Sequence, residues 1–153
     1  MNLKRATFKH IEAELFNFHQ TVKALEEARN EIILAGKNLE LGMVSGESFD
    51  NSITERRATK LADSLLLREM DRITKAVRDT YEMAKEDCRR VLWIKYRLMI
   101  GWRPNEELLY VVANKHQDLT AKEMAEILHM DDSTYHRYRN GFIYGVAERL
   151  GWY

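Results

Sequence analysis

The chain has 153 residues, 45% of them apolar, and its 24 basic side chains are balanced by 24 acidic ones. This length suits one ordinary domain, or a small domain with a long helical appendage, and the apolar content is enough to bury a core. The balanced total excludes a bulk-charge argument for an anionic partner, and the single cysteine, Cys88, excludes an intramolecular disulfide or a cysteine metal cluster. No window approaches the ~20 apolar residues that span a bilayer. The opening "MNLKRATFKHIEAEL" is charged and lacks the apolar segment of a signal peptide, so a reducing cytoplasm is the expected compartment.

Taken in chain order, the first predicted helix carries Phe8, Ile11, Leu15, Phe18, Val22, Leu25 and Ile32 at spacings of three and four, with Arg29 in one intervening slot. That is a heptad seam, and one narrow apolar stripe on a long helix must be covered by another long helix. The covering helix can belong to the same chain or to a second copy, and the pattern leaves both open. "LAGKNLELGMVSGESFDNS" follows, rich in Gly, Ser, Asn and Asp, and reads as a loop over about residues 35–53. A second long helix then starts at Ser52 or Thr54. Leu66, Met70, Ile73, Val77, Tyr81, Ala84 and Cys88 step along it, with a break expected near Lys85–Asp87. Cys88 reads as a small buried thiol on that run. The only proline, in "GWRPNE", ends the run, and "ELLYVVANKHQ", an ambiguous apolar run that suits a buried helix or a short strand, is read as a further helix within a connector over residues 98–118.

The most informative stretch is "LTAKEMAEILHMDDSTYHRYRNG", Leu119 to Gly141. Thr120 and Glu123 have the spacing of a capping box that starts a short helix. Met124, Ile127 and Leu128 face inward, and Ala125 leaves room for a second helix to pass close. "HMD" forms a tight corner in which His129 stands where such corners favour glycine. Asp131 is an N-cap candidate for the helix that buries Tyr135, Tyr138, Phe142, Val146 and Leu150. A small residue, a short corner and matched apolar positions predict a helix-turn-helix that presents the start of its second helix to a major groove.

On that reading the outer face becomes a set of DNA contacts. Arg137 offers a bidentate fork to guanine and Asn140 pairs with adenine. Ser133, Thr134, His136 and Arg139 suit phosphates or base edges, and Lys122 reaches the backbone from the first helix. Asp132 is left to accept from a cytosine amino group. The charge balance is unfavourable locally: Thr120–Tyr153 has 4 basic and 5 acidic residues, whereas Glu55–Arg97 has 12 basic and 8 acidic. Any basic stripe must therefore come partly from the preceding helices. Enzyme chemistry is not expected. The five histidines have no metal-ligand spacing, and the chain has no glycine-rich phosphate loop or nucleophile motif, so no metal, catalytic residue or cofactor is predicted.

Several segments in order, "FKHIEAELFNFHQTVKALEEARNEII", "SITERRATKLADS", "LLLREMDRITKAVRDTYEMA", "VLWIKYR" and the final block ending "AERLG", give a wider likeness. Across most of its length the chain resembles the RinA/ArpU family of phage late-gene transcriptional activators, the RinA branch most closely. The resemblance implies activation from a promoter upstream of late or packaging genes, with a C-terminal domain similar to the promoter-reading region 4 of a sigma factor. It implies DNA-facing roles for Thr134, His136, Arg137 and Arg139, and makes Val91–Arg97 the first helix of that domain. The connector is longer than the family pattern, and aspartates stand where the family tends to have a serine cap and a basic or polar residue.

The expectation is thus an all-α protein. Residues 1–85 form long helices of an oligomerisation bundle, with Phe8, Ile11, Leu15, Phe18, Val22, Leu25 and Ile32 as its seam, and residues 86–153 form the helix-turn-helix domain. The expected partners are double-stranded promoter DNA, a second or further copy of the chain, and host RNA polymerase, with no membrane; in the bacterial host the protein would be nucleoid-associated. The alternative is a helical regulator that binds polymerase or another protein and touches DNA little. Trp152 and Tyr153 pack back on the hairpin or form an apolar contact.

Overall fold

The computed structural model describes residues 2–40, 51–115 and 118–153. Among these the chain is all-helical: α1 (Arg5–Phe16), α2 (Phe18–Glu40), α3 (Asn51–Glu82), α4 (Glu86–Tyr96), α5 (Glu106–Ala113), α6 (Ala121–Ile127) and α7 (Asp132–Leu150). It divides into two compact units, Met1–Phe18 with Lys75–Tyr153, and His19–Thr74. This division differs from a boundary at residue 85, because the first eighteen residues group with the C-terminal helices. Among the described residues no helix is long and apolar enough to cross a membrane.

The expected first helix is two helices. Asn17, a weak helix former, leaves the helical region at φ −98° and ψ 3°, and α2 restarts at Phe18. Ile11, Leu15 and Phe18 are buried on the side of the first unit, and Leu25 is buried in the second. α1 packs on α7. Ile11 and Leu15 therefore have their cover within the chain, and a side chain with no accessible surface has nothing left to offer a second copy. Of the residues expected to oligomerise, Phe8 and Val22 are half-buried, and Ile32 alone is well exposed, at 60%. The expected loop is also shorter than 35–53, because residues 35–40 and 51–53 are helical. Its remainder, 41–50, lies outside the described residues.

The larger unit is built around α4. Val91, Trp93 and Ile94 of α4 meet Val112 of α5, Met124, Ala125 and Leu128 of the α6 end, and Tyr135 of α7 in one core. The expected break after α3 falls at Met83–Lys85. Asn105 caps α5, its side chain accepting from the Leu108 amide at 2.8 Å, so the ambiguous apolar run is a helix. Two partly buried ties join distant parts of the sequence. The Tyr96 hydroxyl donates to Glu12 Oε1 at 2.7 Å, linking α4 to α1. The Cys88 thiol lies 3.8 Å from the Tyr138 carbonyl, linking α4 to α7. Gly145 permits the close approach of α7 to the end of α3: a Cβ there would sit 3.0 Å from Thr80 Cγ2.

Three helices of this unit end on a left-handed residue, and only α7 uses glycine, Gly151, for it. α4 ends on Arg97 and α6 is followed by His129, both at φ 56°. In each case the next amide reaches back to a helix carbonyl, Leu98 to Leu92 and Met130 to Ala125. Such geometry costs an L-residue about 1–2 kcal/mol relative to right-handed backbone. The packing of Leu98, which is fully buried, and of Met130 on the core offsets that cost.

Candidate nucleic-acid interface

The α6–α7 corner is built from local signals that act as their residue types suggest. Thr120 Oγ1 accepts from the Glu123 amide at 3.2 Å and donates to Glu123 Oε1 at 3.1 Å. The reciprocal contact of this capping box thus ends on the threonine hydroxyl rather than on its backbone amide. Ala125 has no accessible surface, and Met124 Sδ accepts a hydrogen bond from the Tyr135 hydroxyl at 3.2 Å across the corner. Asp131 occupies the N-cap position of α7 with extended backbone, but its carboxylate makes no capping hydrogen bond. Asp131 and Asp132 are both exposed. They act on the first turn of α7 through the helix dipole alone.

The eight residues expected to touch DNA separate into three groups. Lys122, Asp132, Ser133 and Arg137 are exposed. Thr134 and His136 are half-buried, and the His136 ring stands edge-on to Tyr135 with centroids 5.4 Å apart. Arg139 and Asn140 are engaged elsewhere. Arg139 lies four residues after Tyr135 and seven before Val146, on the buried stripe of α7. Its guanidinium sits 5.6 Å from the Phe8 ring centroid, and its Nε donates to Asn140 Oδ1 at 3.2 Å. Both are half-buried. Arg139 is therefore a packing residue of the α1–α7 contact, and the adenine-pairing amide expected of Asn140 has its oxygen already bonded. The reason is rotational: a residue on the same stripe as Tyr135 turns toward the core, whatever its charge.

The fold also adds a residue that no spacing pointed to. Lys85, in the turn between α3 and α4, and Arg137 both line a hollow of about 270 Å³. Its walls include Met83, Tyr138 and Gly141, and they contain no carboxylate. The Arg137 guanidinium also lies over the Tyr138 ring, at 5.7 Å from its centroid. Two cations contributed by segments 52 residues apart thus border one hollow whose lining holds no carboxylate, although Glu86 and Asp87 beside Lys85 are exposed. On the other side of α7's first turn Glu126, Asp131 and Asp132 are exposed, so the corner itself carries more acid than base.

Nearby titratable groups report burial. Desolvation pushes the Cys88 thiol up to about 11, which keeps it protonated and unreactive at neutral pH. Desolvation, reinforced by the hydrogen bond to Glu12, also raises the Tyr96 phenol far above its usual range. Burial raises the Tyr135 phenol as well. None of these groups faces the exposed stripe.

Compared with known proteins, the chain matches no family model, no curated protein and no solved structure.

Proposed function

We propose that this chain is a DNA-binding transcription activator of phage late genes, with α6–α7 as its helix-turn-helix. The observation that carries the reading is that exposed Arg137 of α7 and Lys85 line one hollow without a carboxylate in its walls, next to a corner closed by Ala125 and a left-handed His129. Arg137 would fork to a guanine edge, Ser133 and His136 would contact neighbouring bases or phosphates, and Lys85 and Lys122 would neutralise backbone phosphates. Asp132 is assigned to a cytosine amino group. The carboxylates around the first turn of α7 weaken the attraction of any single copy for DNA. A dimer or higher oligomer would offset this, because tethered readers share an effective concentration.

The test is a mobility-shift titration across late-promoter fragments of the encoding phage. Arg137→Ala is expected to weaken binding by roughly 1–3 kcal/mol and to relax preference at one base pair. Lys85→Ala should weaken all fragments alike and lower the salt slope by about one. A wild-type protein that shifts no fragment of its own genome at low salt sinks the reading.

One observation favours a second reading, a helical regulator that binds RNA polymerase. On α5, Leu108 and Val112 turn inward while Leu109 and Tyr110 are exposed, two large side chains left uncovered among the described residues. Polymerase capture that survives Arg137→Ala and is lost with Tyr110→Ser would select this reading over the first.

A further inference from the structure

A second cationic hollow lies away from the α7 reading face. Phe16 at the end of α1, Ile94 and Lys95 of α4, Arg97, Lys115 after α5, and Met124 of α6 surround a space of about 510 Å³. It lies in the size range of small-molecule sites, roughly 300–1,000 Å³. Its chemistry is divided. The floor is apolar, with Ile94, Val112 and Met124 belonging to the buried core and Leu119 packed against it. The rim carries Lys95, Arg97 and Lys115 against one carboxylate, Asp118.

Among the described residues none of these three cations is in an ion pair, whereas Arg29, Arg72, Lys75 and Arg90 all are. Arg97 is held by other means. Its Nη1 donates to the Ile94 carbonyl at 3.3 Å, and its guanidinium lies 4.8 Å from the Trp93 ring centroid. Desolvation lowers its pKa although the residue as a whole is exposed, and among the described residues the guanidinium has no carboxylate in salt-bridge reach. It also occupies a left-handed backbone position where glycine would be less strained. Phe16 adds an aromatic face, 54% exposed, standing edge-on to Tyr96 with centroids 4.7 Å apart.

We infer that this hollow is a binding site for an organic phosphate with a flat apolar body, of the nucleoside monophosphate class. The flat group lies on Phe16 and the apolar floor, and the phosphate meets Lys95, Arg97 and Lys115. Duplex DNA fits the site less well, because a backbone phosphate uses neither the concavity nor the floor. A small ligand here would contact α1, α4, the α5 end and the start of α6 together. The inference is independent of the DNA reading, since the hollow shares no lining residue with the one beside Arg137.

The full chain, without DNA, is titrated at low salt with AMP, GMP, CMP, UMP and 1-naphthyl phosphate, with inorganic phosphate as the reference. Calorimetry gives affinity, and tryptophan fluorescence reports movement of Arg97 over Trp93. Saturable binding of at least one organic phosphate about tenfold tighter than inorganic phosphate is expected, a difference of about 1.4 kcal/mol. Arg97→Gly should reduce that affinity by about tenfold or more while the thermal midpoint holds or rises, because glycine suits the left-handed backbone. Lys115→Gln, at an exposed position, should weaken binding without affecting folding. Absence of saturable binding, equal affinity for inorganic phosphate, or affinity unchanged in both variants overturns the proposal.

Discussion

Met1–Phe18 with Lys75–Tyr153 hold all seven tyrosines, all three tryptophans, the cysteine and four of the five phenylalanines. His19–Thr74 contains one aromatic residue, Phe49, which lies outside the described residues. The consequence is visible in burial. In the first unit Ile11, Leu15, Val91, Leu92, Tyr135, Ile143 and Val146 have almost no accessible surface. In the second, Leu25, Ile73 and Thr74 are buried, while Ile32, Ile33, Leu34, Leu61, Leu65 and Leu66 are all more than half exposed. Large side chains from several helices can close a core on all sides, whereas aliphatic stripes on two long helices cover one line and leave the remaining faces to solvent. Inside that unit Arg29 of α2 pairs with Asp71 of α3, and because both side chains are exposed the pair stabilises it little.

The largest effect that would break this comparison lies on the shared seam. Leu15→Ala should destabilise the aromatic-rich unit by about 2–5 kcal/mol, as expected for a fully buried leucine. Denaturant melts followed by tryptophan fluorescence report that unit alone, since it holds every tryptophan. A loss below about 1 kcal/mol would mean that α1 contributes little to the core.

An alkaline titration sharpens the contrast at somewhat smaller amplitude. Cys88 rises from 9.0 unfolded to about 11 folded, and Tyr96 is raised further. Below about pH 9 both groups are protonated in either state, and their contribution is complete. Above it the unfolded chain releases protons that the folded chain retains, so stability falls as pH rises through 9 to 11. Cys88 accounts for roughly 2–3 kcal/mol of this near pH 11. The loss should appear in the tryptophan signal, and Cys88→Ala should flatten its lower part. His19–Thr74 has no tyrosine or cysteine to titrate. An unchanged urea midpoint between about pH 8 and pH 11 would contradict the burial argument.

The smallest effect is on the second unit. Ile32→Ser, at an exposed position, should change stability by less than about 0.5 kcal/mol in dilute solution. Far-UV circular dichroism at several protein concentrations checks it. A larger loss that grows with concentration would mean that another surface covers Ile32.

Much of the local structure was readable from residue types. Thr120 begins a helix because its side chain accepts a free amide, and His129 takes the left-handed corner, whereas the α3–α4 break falls at Met83–Lys85, slightly before the expected Lys85–Asp87. The candidate interface was less readable. Arg139 carries the right chemistry for phosphate, but one turn after Tyr135 it rotates onto Phe8. Asn17 interrupts a seam whose spacing alone reads as continuous.

By itself the sequence determined the all-helical class, the Thr120 cap that starts α6, and the stripes that had to be covered, because these follow from contacts within four residues along the chain. Only the tertiary structure decided what covers them. It set α1 against α7, tied Tyr96 to Glu12 across 84 residues, brought Lys85 beside Arg137, and gathered Lys95, Arg97 and Lys115 over an apolar floor. Periodicity specifies that a face is apolar, but the residue opposite it is chosen by the packing of whole helices, and no spacing within one helix encodes that choice.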